Sequence, residues 1–462
     1  ITPRLLEVAT GETVATGKVD GNWEELFALQ DRVVSNLLAA LQVEADTSAL
    51  ERIAPPETRQ LEAYEHYAQG RKKLDELGKN SLEEARQQFE RAVALDSGYA
   101  MAYSGLGATH AMRFVHRTDP DDLACACGYL ERALELDPEL GEPYPWLCYI
   151  YVRQGKLDQA VSAGRKGVER QPDLDKAHYF LGIAYSVSAE LNPDSYQRAV
   201  ECLLHASALE PCSEGTWLGL GTIALAVGNY DCAEKFSLQA LELERSGTSV
   251  RRFVGAETLL GSVWLRRGQW EKARQFYLQA LESLATSDHM YRDAFVALTA
   301  CGLGDLHLRQ GQADAALADF RRAWRTVKEF PRMLGNERVL TRTLAGMVCA
   351  YAAQGERERA AQLAREAGER LNQLSRQPQS FIWEATTSQL YYALAVAHRR
   401  LGDTRAALDL LEKAVEKGWR DPHWLGADPE MATLLEQPRF QSLLENLRQT
   451  SPVHFTATKA VA

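Results

Sequence analysis

The sequence predicts an all-α protein, a right-handed superhelical α-solenoid of about nine helix hairpins preceded by a short β-hairpin and helix. A pattern of small, aromatic and apolar residues recurs along most of the chain. Cys148 and Gly182 occupy equivalent places in that pattern and are 34 residues apart. Prolines follow the second helices, at Pro138, Pro172 and Pro211. Because proline cannot continue a helix, each hairpin is expected to end there.

The clearest copy of the repeat lies between Tyr144 and Pro172. Its pattern residues are Tyr144, Leu147, Cys148 and Tyr151 in the first helix and Ala160, Gly164 and Gly167 in the second. Further copies are centred on Gly182, Gly221, Gly261, Gly304, Val348 and Ala395, and two longer variants on Gly70 and Gly107. The wider intervals from Gly261 to Gly304 and from Val348 to Ala395 predict that the later helices are extended.

This recurring unit resembles the tetratricopeptide repeat (TPR). The resemblance implies stacked hairpins in which small residues let helices approach closely while Tyr, Phe and Leu fill the spaces. It also implies a scaffold whose concave groove, lined by first helices, holds another protein or peptide. The chain lacks the Lys and Asn clamp with which some members hold a carboxylate-ended chaperone tail. It also lacks the groove asparagines with which others grip an extended peptide, so neither mode is expected.

The amino-terminal residues predict a different element. Two short strands, 5–8 and 13–15, flank the turn 9–12, and an amphipathic helix starts near Asn22. Such a piece has too little core to stand alone, which indicates the end of an α/β domain. The turn 9–12 and the helix containing 26–31 resemble the end of the TolB amino-terminal-like domain of bacterial signalling proteins. That resemblance implies an upstream effector such as a kinase, a cyclase or a DNA-binding module.

The rest of the chain divides by composition. We expect the α/β remnant over 1–45, a linker over 46–58, the repeat array over 59–418, capping helices over 419–449 and a disordered tail over 450–462. The capping prediction rests on the apolar spacing of Phe440, Leu443 and Leu447. Inside the array, Asp119 followed by Pro120 predicts a capped helix start after an insertion.

Composition limits the function classes. Lys+Arg total 52 and Asp+Glu 63, a formal net charge of -11, which disfavours nucleic acid as a partner. No apolar stretch approaches the roughly 18 to 20 residues that a membrane-spanning helix needs. We therefore expect a cytoplasmic chain, although it begins at Ile1 and a targeting or membrane segment would precede that residue.

Two glycine patterns partly match phosphate or dinucleotide sites. Gly11 and Gly17 are one residue too far apart for a phosphate-binding loop, and Val19 stands where that loop needs Ser or Thr. Gly219 and Gly221 fit a relaxed dinucleotide fingerprint but lie inside a predicted first helix with no preceding strand. We interpret both as structural, and no cofactor is expected.

The histidines and cysteines give no catalytic or metal motif. His110, His307 and His398 each occupy the aromatic position of a repeat and are interpreted as core histidines. Cys125 and Cys127 form a single C-x-C without a second pair, which is a poor metal signal. The sequence therefore predicts a chain that is not an enzyme and holds no metal.

The candidate binding residues are first-helix side chains that project into the groove. They are mostly apolar or aromatic: Tyr149, Tyr179, Ile183, Leu218, Thr222, Leu225, Thr258, Leu265, Asp305 and Tyr392. If open, such a groove accepts an amphipathic helix or a peptide with large apolar anchors. The alternative is that neighbouring repeats fill the stripe.

These observations predict a non-catalytic scaffold for a protein or peptide partner, as part of a larger bacterial signalling or assembly protein. One alternative is the regulatory half of a signalling enzyme or of a DNA-binding regulator whose effector lies upstream of Ile1. Another is a repeat that mediates self-association, giving a homo-oligomer through its open edges.

Overall fold

The structure is a computed structural model that describes residues 4–6, 13–16, 58–189, 191–192, 194–247, 253–376, 385–450 and 452–456. The predicted helix from Asn22, residues 46–57 of the linker, and Gly11 and Gly17 lie outside them. The TolB-like assignment therefore stays a prediction.

Nine consecutive helix hairpins make up the described part of the array, which confirms the predicted solenoid. Their first and second helices, in order, are α1 Leu61–Asp75 and α2 Lys79–Leu95, α3 Ala100–Arg117 and α4 Pro120–Leu136, α5 Pro143–Arg153 and α6 Leu157–Arg170, α7 Asp175–Ser188 and α8 Ser195–Leu209, α9 Glu214–Ala226 and α10 Tyr230–Ser246, α11 Ala256–Arg266 and α12 Trp270–Thr286, α13 Arg292–Arg309 and α14 Ala313–Glu329, α15 Asn336–Ala353 and α16 Arg357–Leu374, and α17 Thr387–Leu401 and α18 Thr404–Glu416. A short helix α19 Pro422–Ala427, a 3-10 helix Pro429–Leu434 and α20 Pro438–Arg448 follow.

Two strands precede the array. β1 Arg4–Leu6 pairs antiparallel with β2 Thr13–Thr16, as Arg4 opposite Thr16 and Leu5 opposite Ala15. This is the predicted hairpin, although its first strand begins one residue earlier than expected.

A helix start predicted inside the array is also present. Asp119 precedes α4 and accepts a hydrogen bond from the Asp121 N–H at 3.1 Å, and Pro120 is the first helical residue. The carboxylate satisfies a backbone donor that would otherwise lack a partner. Because only residues 118 and 119 separate α3 from α4, the extra residues lengthen the helices of this hairpin and not its turn.

An aromatic ring of the second helix fills the space between neighbouring first helices. The ring of Phe320 in α14 is fully buried and lies against Gly304 of its own hairpin and Gly346 of the next. A Cβ atom placed on Gly304 would lie 2.6 Å from that ring. The same arrangement occurs at Tyr277 and at Phe89, each of which lies between two glycines. The small residues of the repeat therefore set how closely the hairpins stack.

The array coils until its first hairpin meets a much later connection. The Met290 N–H donates to the Leu77 carbonyl at 3.2 Å, and Lys79 Nζ lies 3.1 Å from an Asp293 carboxylate oxygen. These residues join the α1–α2 turn to the α12–α13 connection. The superhelix is consequently closed on itself, and the space inside it is bounded by first helices.

The carboxyl-terminal tail is ordered over part of its length. The His454 N–H donates to Gln197 Oε1 at 2.8 Å, and the Phe455 ring centroid lies 6.0 Å from that of Phe236. The expectation of a disordered tail over 450–462 is therefore wrong for 452–456. Val453 and Phe455 supply the apolar contacts that hold this stretch against α8 and α10.

Gly304→Ala is expected to lower the free energy of unfolding by about 1–3 kcal/mol, because the new methyl group overlaps a buried ring that has no room to move. Gly128→Ala is the matched control, since nothing lies within 4 Å of a Cβ there. In a helix that change should raise stability by about 0.5–1 kcal/mol. Urea unfolding followed by circular dichroism measures both, and an unchanged midpoint for Gly304→Ala would contradict the packing described.

Candidate binding surface on the inner face

An arginine recurs at one position of the first helices. Arg266 ends α11, Arg309 ends α13, and Arg400 is the penultimate residue of α17. Arg153 ends α5. Each follows the small residue of its repeat by the same interval of five positions, from Cys148 to Arg153 in the clearest copy. The four side chains, which we call the arginine ladder, therefore leave equivalent points of the solenoid, at helix ends where the carbonyl dipoles favour a cation.

Residues 419–434, which we call the C-terminal segment, lie across three of these helix ends, those of α11, α13 and α17. Asp421 caps α19 by accepting a hydrogen bond from the Trp424 N–H at 2.9 Å. Asp428 caps the 3-10 helix by accepting one from the Glu430 N–H at 3.0 Å. The two aspartates are only 1% and 2% exposed. A carboxylate that is buried this deeply needs a counter-charge.

Arg266 supplies the counter-charge for Asp421. Its Nη1 atom lies 2.9 Å from Asp421 Oδ2 and also donates to the Leu225 carbonyl of the preceding hairpin at 2.9 Å. The Tyr230 hydroxyl donates to the same carboxylate at 2.9 Å. One aspartate of the segment is thus bound to two hairpins at once.

The other two arginines bind the next two carboxylates. Arg309 Nη2 lies 3.0 Å from Asp428 Oδ2, which also accepts a hydrogen bond from the Tyr392 hydroxyl at 2.5 Å. Arg400 Nε donates to Glu430 Oε2 at 2.8 Å, and Arg399 pairs with the same carboxylate. Three carboxylates therefore match three arginines of the ladder along the segment.

Aromatic contacts reinforce the charge pairs. The rings of Trp419 and Tyr392 stack with centroids 4.2 Å apart and planes 7° from parallel. The Arg309 guanidinium lies 4.9 Å from the centroid of Trp424. Such contacts add attraction while keeping the cation away from water. The segment is fixed by both its acidic and its aromatic side chains.

The surroundings shift the pKa values of two groups in this cluster. Burial acts to raise the pKa of Glu430, but the hydrogen bond from Arg400 and the positive charges of Arg400, Arg399 and Arg309 lower it overall. Burial, followed by the neighbouring Asp428 carboxylate, raises the pKa of Tyr392 well above its usual value. At neutral pH the glutamate is therefore ionised and the tyrosine hydroxyl keeps the proton it donates.

Two cavities lie inside the first helices. The charged cavity is partly open to solvent and is lined by first-helix residues and the C-terminal segment, including Arg266, Asp305, Arg342, Trp419 and Glu430. The aromatic cavity is also partly open, and its walls include Trp146, Tyr149, Arg153, Phe180, Phe253, Tyr291 and Phe295. Leu298 borders both.

The predicted groove residues are divided between these places. Tyr149, Tyr179 and Ile183 line the aromatic cavity. Leu265, Asp305 and Tyr392 line the charged cavity. The remaining four, Leu218, Thr222, Leu225 and Thr258, line neither.

Most of these side chains are not available to a partner on the described surface. Seven of the ten are buried, and Tyr179, Thr222 and Asp305 are partly exposed. The Thr258 hydroxyl, for example, lies 2.7 Å from that of Thr299 on the next first helix. Neighbouring repeats and the C-terminal segment therefore fill much of the stripe, and a role for these residues in binding stays a prediction.

The C-terminal segment lies elsewhere than the sequence predicts. The sequence predicts that residues 419–449 cap the end of the array, and α20 does pack against α18, where Arg439 Nη2 lies 2.7 Å from Asp409. Residues 419–434 instead lie across several first helices, because their buried carboxylates find arginines there. The recurrence of arginine five residues after the small residue is the signal that would have found this surface.

The three histidines at aromatic positions are not core residues. His110, His307 and His398 are partly exposed. His307 Nδ1 lies 2.7 Å from Asp319 Oδ2, and His110 Nδ1 lies 3.1 Å from Asp122 Oδ1. His398 Nδ1 lies 3.7 Å from Asp403 Oδ2. The interpretation of the three as core histidines is corrected accordingly, since each is partly exposed and faces a carboxylate.

Three further observations on the described residues concern disulfide bonds, metal binding and membrane-spanning helices. All eight cysteines are free thiols. Within that part of the chain, no group of three or more His, Cys, Asp or Glu residues is arranged to hold a metal ion. None of the helices there combines the length and the apolar character that crossing a membrane requires.

Comparison with known proteins identifies the repeat. Profiles described as Tetratricopeptide repeat match residues 255–329 and 387–418. A protein of Rhizobium meliloti (strain 1021) named "Putative adenylate cyclase 3" is 25% identical over 166 residues, which are 35% of this chain and 28% of that protein. The chain thus spans less than a third of the length of that relative.

Solved structures with similar helical arrays include the APC/C heterotetramer Cut9–Hcn1, at a TM-score of 0.48 and 14% identity over 92% of this chain and 83% of that one. A thermophilic TPR protein of Thermus thermophilus has a TM-score of 0.34 and 22% identity over 46% of this chain and 99% of that one. PilF of Pseudomonas aeruginosa has a TM-score of 0.38 and 18% identity over 50% and 92%. With the family matches falling inside nine consecutive helix hairpins, the chain contains tetratricopeptide repeats and folds as a TPR solenoid.

Proposed function

We propose that this chain is a non-catalytic TPR scaffold that binds an acidic protein segment on its inner face. The observation that carries the proposal is the C-terminal segment, whose three carboxylates pair with Arg266, Arg309 and Arg400. The segment behaves as a resident ligand of the surface. A partner with similarly spaced acidic and aromatic side chains would use the same contacts.

A partner has to compete with the C-terminal segment for the arginines of the ladder. Because the segment belongs to the same chain, its effective concentration at the arginines is high, and a partner displaces it only by making equivalent contacts. Removing one member of a buried charge pair is costly because the other member is left uncompensated. The arrangement therefore selects partners that bring their own carboxylates.

A labelled peptide with the sequence of residues 417–436 tests this proposal. We expect the variant Asp421→Asn/Asp428→Asn to bind the peptide at least about tenfold more tightly than the unchanged chain, because its own segment no longer carries two of the charges. Asparagine caps a helix as well as aspartate does, so the substitutions remove charge and keep the caps. Fluorescence anisotropy gives the affinities.

The controls distinguish recognition of the peptide's carboxylates from a general loss of structure in the variant. A peptide with Asn at both positions should bind that variant weakly, and adding Arg309→Gln to the protein should weaken binding of the acidic peptide. Asp409→Asn, which alters an exposed pair with Arg439, should behave like the unchanged chain. Equal binding by the unchanged chain and the double variant, with circular dichroism showing both folded, would refute the proposal.

A second candidate function is regulation of a signalling enzyme. The resemblance to the Rhizobium meliloti protein named "Putative adenylate cyclase 3" favours it. In that case the array and its C-terminal segment would control an effector domain on the same polypeptide, and catalysis would lie outside this chain.

The product of the whole reading frame, including any residues encoded before Ile1, tests that second candidate. With Mg-ATP it should form cyclic AMP at a rate that changes by severalfold in the Asp421→Asn/Asp428→Asn variant, whereas residues 1–462 alone should form none. Cyclic AMP is measured by chromatography. A reading frame that encodes no cyclase, kinase or DNA-binding module would rule this candidate out.

A further inference from the structure

We infer that the aromatic cavity binds an uncharged aromatic small molecule, which contacts both sides of the point where the superhelix closes and stabilises the closed form. The inference goes beyond the proposed scaffold function and does not rest on it, since none of the arginines that hold the C-terminal segment lines this cavity. Three observations carry it. They are the position of the cavity, its aromatic walls and the pairing of its charged groups.

The cavity lies where the two sides of the closure meet. Leu74 and Leu77 belong to the first hairpin, Met290 belongs to the α12–α13 connection, and Ala294 belongs to α13. All four line the cavity. A molecule bound there therefore contacts two parts of the array that are far apart in sequence.

The closure combines a few polar contacts with a strained turn. The Met290 N–H donates to the Leu77 carbonyl at 3.2 Å, and the Lys79 N–H donates to the Asp288 carbonyl at 3.4 Å. Leu77 has a φ of 51°, a left-handed conformation that is unfavourable for a residue with a branched side chain. A strained turn keeps its conformation through the contacts around it. A ligand that adds contacts on both sides therefore stabilises the closed form.

Aromatic rings from two parts of the array form the walls. In α5 and α7, the ring centroids of Trp146 and Tyr149 lie 5.1 Å and 5.4 Å from that of Phe180. Later in the chain, the ring centroids of Phe253 and Tyr291 lie 5.2 Å apart. Rings at such separations attract one another, and a ring bound in the cavity gains the same attraction. Cavities with apolar and aromatic walls are typical of small-molecule sites.

The charged groups that line the cavity already have partners in the protein. Lys176 Nζ lies 3.8 Å from Glu142 and 4.0 Å from Asp75. Arg153 Nη2 donates to the Tyr291 hydroxyl at 3.3 Å. A charged ligand would lose its hydration without meeting an unpaired counter-charge. Although aromatic rings attract cations, the two cations already present repel a third. The cavity therefore favours an uncharged molecule.

The probes are 4-fluorotoluene, 4-fluorobenzoate and 4-fluorobenzylamine, which share a ring and are neutral, negative and positive at neutral pH. Fluorine NMR titrations with the whole chain should give an affinity for 4-fluorotoluene at least about tenfold higher than for either charged probe, because only the neutral probe enters the cavity without an uncompensated charge.

A pair of glycine variants places the binding event. Gly215 lines the cavity, and a Cβ there already lies 3.3 Å from the Tyr179 hydroxyl. Gly215→Leu should therefore fill part of the cavity and weaken binding of 4-fluorotoluene at least about tenfold. Gly128→Leu is the matched control, since Gly128 is exposed on α4 with nothing within 4 Å of a Cβ, and it should leave the affinity unchanged. Circular dichroism shows whether both variants fold.

Hydrogen exchange measured by mass spectrometry tests the effect on the closure. The amides of Lys79 and Met290 donate the backbone hydrogen bonds that join its two sides. Saturating 4-fluorotoluene should slow exchange in the peptides that contain them by at least about threefold, because the bound ligand stabilises the closed form. Exchange of the Gln441 amide in α20, far from the cavity, should not change.

Four results would overturn the inference. They are no saturable binding of 4-fluorotoluene up to its solubility, an affinity for a charged probe that equals or exceeds that for the neutral one, binding that survives Gly215→Leu in a folded protein, and unchanged exchange at Lys79 and Met290 when the probe is bound. Three of these need no variant, so the inference can be refuted even if Gly215→Leu does not fold.

Discussion

The close approach of neighbouring first helices is the constraint on which the rest of this structure depends. A single buried ring, such as Phe320 between Gly304 and Gly346, fills the space between two helices that carry no side chain there. Because this contact recurs, equivalent positions of successive first helices line up along the inside of the solenoid. A residue type that recurs at one such position therefore forms a row of side chains along the inside of the solenoid, and in this chain that residue type is arginine.

A ladder of buried cations favours specificity over stability. When an ion pair is buried, the free energy lost by desolvating the two charges is nearly as large as the free energy gained from their attraction. A buried charge without a partner, in contrast, destabilises the protein by several kcal/mol. The pairing of Arg266 with Asp421 and of Arg309 with Asp428 therefore fixes the place of the C-terminal segment more than it strengthens the fold. A surface held in this way discriminates between segments by the spacing of their carboxylates.

The sequence predicted what is local and periodic. The hairpins, the Asp119 cap and the inward position of Tyr149 all follow from residues within one repeat. The segment was missed because Arg266 and Asp421 are far apart in sequence, and repeat spacing gives a residue its position in the hairpin and not the path of the superhelix. The contact between Leu77 and Met290 was missed for the same reason, since it depends on how far the array coils.

The most direct measurement of the central claim is a double-mutant cycle between Arg309 and Asp428, using Arg309→Met, Asp428→Asn and the pair together. If the ladder holds the segment through paired charges, the two substitutions should be strongly non-additive in the free energy of unfolding, with a coupling of about 1.5–3 kcal/mol. Additivity to within about 0.5 kcal/mol would mean that the charges do not act on each other, and that the segment is held on the inner face by something else.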